Sequence, residues 1–211
     1  MVQVTRGKNV AIETYDCAYK EFTATAGQTA FAMNDNDTAA ETESKYHRVY
    51  VDNVEVDSAN FTVANGGTPS KATFTIPACT LGQFVQIICA KTKNGSYSIA
   101  QGIQFAATSR NQEIPELGSP SVTEETLEVG MRLNLSWAQA ANHDLMQKLV
   151  TNKKNDIYMV LVEKYKNTTP VSYRIFKECK VDDFGQGVSA GGVSMETCSF
   201  TCKWPFEFKT S

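Results

Sequence analysis

The 211-residue chain is poor in histidine (two), tryptophan (two) and proline (six). It has no apolar run near the ~18–20 residues that a membrane-spanning helix needs, so membrane insertion is not expected. Behind Met1-Val2-Gln3-Val4-Thr5-Arg6 there is no apolar stretch of the kind a secretory leader carries, and none is expected. An excess of positive charge is also missing. Lys and Arg total 20 against 23 Asp and Glu, a formal charge of -3. That balance gives no electrostatic case for gripping a nucleic-acid backbone across a broad outer surface. His47 and His143 neighbour no nucleophile motif, and both read as surface or helix-end residues.

Six cysteines are present: Cys17, Cys79, Cys89, Cys179, Cys198 and Cys202. Without an export signal the first reading is buried thiols; the second is a bridge from Cys179 or Cys79 to a cross-strand partner. Cys198 and Cys202 lie in an alternating stretch, on one face and roughly 13 Å apart along the strand. That is too far for one zinc ion or a direct bridge. Gly185-Gln186-Gly187 leads into a strand instead of opening a helix, which argues against a phosphate loop. Asn34-Asp35-Asn36-Asp37 and Asp182-Asp183 read as solvated acidic turns. No catalytic residue, cofactor or metal site is expected, and the chain is not expected to be an enzyme.

What is abundant is strand texture. Short alternating segments cover Val10–Glu13, Val49–Val51, Asn60–Val63, Lys71–Ile76 and Phe84–Ala90, punctuated by Asn65-Gly66-Gly67 and Asn94-Gly95 turn signals. Asn34 to Lys45 reads as an exposed loop, and residues 108–122, with Pro115, Gly118 and Pro120, as a linker. Leu127, Val129, Met131, Leu133, Leu135 and Trp137 then recur at period 2, a strand with one face in a core. From Ala138 to Val150 the period changes to that of a helix, with Leu145, Met146 and Leu149 as its packing face and Asn142 as a candidate cap. Ile157–Lys164 is a strand apolar on both faces, and Val171–Lys177 and Val193–Trp204 alternate. Val181–Gly192 reads as a glycine-rich loop between them, and Pro205–Phe208 as an edge strand or arm. The fold expected is mainly β, a β-sandwich or barrel-like core with one flanking helix.

The ordered pattern of the second half resembles the tail tube proteins of tailed bacteriophages. It consists of the long strand Leu127–Trp137, the helix Ala138–Val150 and the strand Ile157–Glu163. Tyr173-Arg174-Ile175-Phe176, Asp182-Asp183-Phe184-Gly185 and the final strand Val193–Lys203 complete it. Arg6-Gly7-Lys8-Asn9-Val10-Ala11-Ile12 resembles the opening of such proteins. The resemblance implies a virion structural protein, assembled in the host cytoplasm into the tail. Its hexameric rings would stack through an extended loop and terminal arms and contact other tail proteins. Strands 126–137 and 193–203 would join edge to edge between subunits around an acidic lumen, through which viral DNA passes without specific binding. Glu128, Asn134 and Glu196 are the lumen-facing candidates, with Arg132 and Lys203 running against an acidic lining.

Residues 1–21 with 91–211 would form the tube core. Residues 22–90 resemble the small β modules of phage tail fibre proteins, and are read either as an inserted outer module or as part of the core with large loops. A rival reading is a fibre-attachment, adaptor or decoration protein of the virion. A third class is an enzyme or lectin-like module.

Overall fold

The computed structural model describes residues 10–33, 40–66, 71–91, 93, 95–98, 103–115, 122–138, 143–165, 172–188, 194–203 and 207–210. It is mainly β and antiparallel, β-sandwich-like, with a single α-helix among the described residues. The strands are β1 (Val10–Thr23), β2 (Ala30–Ala32), β3 (Arg48–Val51), β4 (Val54–Glu55), β5 (Thr62–Gly66), β6 (Lys71–Thr75), β7 (Phe84–Ala90) and β8 (Gly95–Ser98). They continue as β9 (Ile103–Pro115), β10 (Val122–Ala138), β11 (Met159–Tyr165), β12 (Ser172–Val188), β13 (Ser194–Lys203) and β14 (Glu207–Thr210), and α1 spans His143–Lys154. Eleven strands form one sheet in the order β4-β3-β7-β1-β11-β12-β13-β10-β9, with β8 on β1 and β14 on β12. β2, β6 and β5 form a second sheet.

Two long strands turn the corners of the large sheet. The first half of β1 pairs with β11 and β8, and its second half with β7. The first half of β12 pairs with β11 and β14, and Lys180–Val188 pairs with β13. The change of partner falls at a bulge where Glu178 has φ of +51°. β-Bulges bend a strand and let it leave one layer for another.

The main core lies between these layers. Ile12, Met159, Leu161 and Phe176 come from one side; Met131, Leu133, Leu135, Trp137, Cys198, Phe200 and Cys202 come from the other. α1 closes one flank with Leu145 and Leu149, both fully buried, and Met146 packs partly buried beside them. Its last turns are tied down by polar bonds. Asn152 donates from Nδ2 to Asp16 Oδ1 at 2.8 Å, and Lys153 donates to the carbonyl of Asp182.

A second core gathers Phe31, Met33, Val49, Phe61, Val63, Phe74, Val85, Ile87 and Cys89 between the small sheet and the β3-β7 end of the large one. The 21/22 boundary read from sequence falls inside β1, which serves both cores. A third cluster, Tyr15, Tyr46, Ala90, Val160, Val162, Tyr173 and Ile175, lies on the outer side of the β1-β11-β12 layer.

Several local expectations need correction. Residues 108–122 are mostly strand, since β9 runs to Pro115 and β10 starts at Val122. β12 likewise runs through the glycines to Val188. Ala138 belongs to β10, opposite Met195, so cross-strand pairing holds it in the sheet and α1 begins later. Val150, assigned to the helix's apolar set, is exposed, while Asn142 lies outside the described residues. β7 and β8 do not pair as a hairpin across Asn94-Gly95; both line β1. The cysteines, by contrast, follow both readings: Cys179 bridges to a cross-strand partner, Cys202, while Cys79, Cys89 and Cys198 are buried thiols and Cys17 a half-buried one.

Candidate functional site

The strands β12 (second half), β13, β10 and β9 form a four-stranded antiparallel segment with two unlike faces. Alternation is the cause. Met131, Leu133, Leu135 and Trp137 point into the core, so Arg132 and Asn134 stand on the opposite face with Ser136 beside them. Register sets Arg132 against Thr201, Asn134 against Ser199 and Ser136 against Thr197. Among the described side chains, the outer face is therefore built from short hydroxyl and amide groups around the Arg132 guanidinium. On the β12 margin, Asp183 sits opposite Ser199, and Thr201 donates its hydroxyl to Asp182 Oδ2 at 2.5 Å. Gly185 packs closely there: a Cβ at that position would come 2.5 Å from Thr197 Oγ1, so that hydroxyl would have to turn away.

Of the three lumen-facing candidates, only Asn134 lies on this face with a described side chain. Glu128 occupies β10 opposite Arg110, beside a bulge, and its side chain lies outside the described residues. Glu196 belongs to the inside. It is 4% exposed and accepts a 2.7 Å hydrogen bond from Trp137 Nε1–H, so it cannot line a channel. Its place in the alternation, in line with Cys198 and Phe200, is the physical reason. Lys203 holds a register position opposite Gly130, again without a described side chain.

The strands expected to meet between subunits are interior ones. β13 lies between β12 and β10, and β10 between β13 and β9. The edges of the segment are β9 and, on the side away from β13, Lys180–Val188 of β12; among the described residues neither edge has a strand partner. Sequence reading missed the β9 edge, because its second part read as a linker. Beyond Gly130, β10 leaves β13 behind and bonds only to β9, so residues 111–115 and 122–126 form a two-stranded ribbon.

The other sites considered give no chemistry. Among the described residues no cluster of three His, Cys, Asp or Glu could hold a metal ion, and no helix is long and apolar enough to cross a membrane. Asn34–Asp37 lies outside the described residues, as does the side chain of His143. His47 is buried, not on the surface. No protein-family model matches the chain, and no curated protein matches it.

Proposed function

We propose that the chain is a structural protein of a phage virion, whose hexameric rings stack into the tail tube through which DNA is ejected. The observation that carries this reading is the four-stranded segment with one core face, a polar face over its described side chains and two edges that lack a strand partner among the described residues. Strand direction alternates across it, so β9 and the second half of β12 run oppositely. Pairing β9 of one copy with β12 of the next therefore continues an antiparallel sheet around a ring. Such head-to-tail contacts close when the rotation closes. Open strand edges otherwise invite uncontrolled pairing, and a barrel removes them.

In that assembly the hydroxyl and amide face lines the channel. Register sets Arg132 and Lys180 on either side of Thr201 and Asp183 against Ser199, so the described lining carries charges of both signs. A passing polyanion would then be neither held nor strongly repelled, in place of the acidic lining implied by resemblance. The ribbon of residues 111–115 and 122–126 extends past the β13 pairing and would serve as the arm that reaches the next ring.

A second reading, an adaptor or decoration protein of the same virion, is favoured by the separate core built from residues 24–89. Negative-stain microscopy of the purified protein at high concentration separates the two. Hollow tubes or stacked rings are expected. A monodisperse monomer at every concentration overturns the tube, and a monomer that coats virions without self-stacking supports the adaptor.

A further inference from the structure

Residues 40–47 form a strap over the outer face of the β1-β11-β12 layer. Tyr46 stacks on Tyr15 with ring centroids 5.1 Å apart, and the Lys45 ammonium sits 4.8 Å over the Tyr173 ring. Beneath them lie Val160, Val162 and Ile175, all buried. One end of the strap is tied by Asn65, which accepts from the Ala40 N–H at 2.9 Å and donates to the Ala40 carbonyl at 2.8 Å. Both of those bonds are insensitive to pH.

The rest of the strap is held by the Glu41 N–H on the Ala90 carbonyl at 3.2 Å and, on the Ala90 N–H, by one imidazole. His47 is 1% exposed. Its Nδ1 accepts the Ala90 N–H at 3.0 Å, and its Nε2–H donates to the Glu41 carbonyl at 2.8 Å. These two bonds fix the neutral Nε2–H tautomer. A proton on Nδ1 would set one N–H against another. The surroundings offer such a cation little. Lys177 of β12 donates to the His47 carbonyl at 3.2 Å, and Arg48 follows in the chain. Glu178 of β12 is engaged by Arg48 at 3.3 Å and by the Tyr50 hydroxyl at 2.5 Å. On the strap itself, the Glu41 carboxylate accepts the Lys93 N–H at 3.0 Å and Glu43 pairs with Lys45. β7 contributes the Cys89 thiol, with Lys91 just after it, and β1 contributes Asp16 and the Cys17 thiol. From β6 the neighbour is the uncharged Phe74 ring, edge-on at 5.1 Å. Burial, aided by the Lys177 charge, pushes the His47 pKa down to about 4.

We propose that His47 is an acid-operated latch: a proton taken from solvent at Nδ1 breaks the Ala90 bond and lifts the strap, uncovering the apolar face formed by Val160, Val162 and Ile175. This does not depend on the tube reading. The test is the variant His47→Gln, whose amide oxygen and nitrogen reproduce the acceptor and the donor without titrating. Amide exchange at Ala90, corrected for intrinsic rate, and binding of an apolar dye are followed from about pH 7 to about pH 4. In the wild type, protection at Ala90 falls at least roughly tenfold and dye binding rises, whereas the variant stays flat. An equal acid response in the variant, or full wild-type protection at the lowest pH, overturns the latch. If the variant does not fold, imidazole nitrogen shifts of the wild type decide. Protonation of Nδ1 coincident with loss of Ala90 protection supports the latch; one without the other overturns it.

Discussion

Trp137 is fully buried, and its indole N–H depends on a single carboxylate 59 residues away. Glu196→Ala leaves that donor unsatisfied and should lower unfolding stability by about 2 kcal/mol. Glu196→Gln keeps an acceptor and should cost under about 1 kcal/mol, as read from denaturant titrations. The alternation already put Glu196 on the core side; only its charge argued for the outside. What local sequence could not show was the indole partner on another strand. His47 was illegible for the same reason, since Ala90 and Lys177, two of its partners, come from distant segments. Its pH sign follows from the depressed pKa. The fold holds the neutral ring, so this contribution is complete above the unfolded value of about 6.5 and is lost as pH falls towards 4. Integrated over that window the loss amounts to about 3 kcal/mol, which the His47→Gln variant should abolish.

Among the elements, α1 and β11 were plain in the sequence because each packs a face against a core, and burial imposes a period. Leu145 and Leu149 sit one helical turn apart and are both buried; Met159, Val160, Leu161 and Val162 are buried in succession because β11 is covered on both sides. The β9–β10 ribbon had no such signal. Among the described residues it bonds only to its own partner strand, and its polar residues and Pro115 read as linker. Because β13 pairs only with residues 130–138 of β10, the ribbon tip is dispensable for that pairing. Deleting residues 113–124 should leave a folded monomer with an unchanged circular dichroism spectrum, while abolishing ring stacking in the microscope.

For the whole molecule, the β class could be read from texture, but the way the hydrophobic cores are joined could not. Sequence showed a change of character near residue 22; the structure runs one strand through it. Residues 17–23 of β1 pair with β7, while residues 10–16 pair with β11. Removing residues 22–90 would strip β7 from β1 and leave Cys17–Glu21 unpaired along that edge. The truncated chain should run as aggregate on size-exclusion chromatography, where a clean monomer would show the core to be self-sufficient. A strand shared in this way also decides how force travels. A pull on the small lobe loads the β1 hydrogen bonds lengthwise, in shear, instead of peeling them one by one. The lobe is thus mechanically spliced to the body that carries it, and cannot be traded as a cassette.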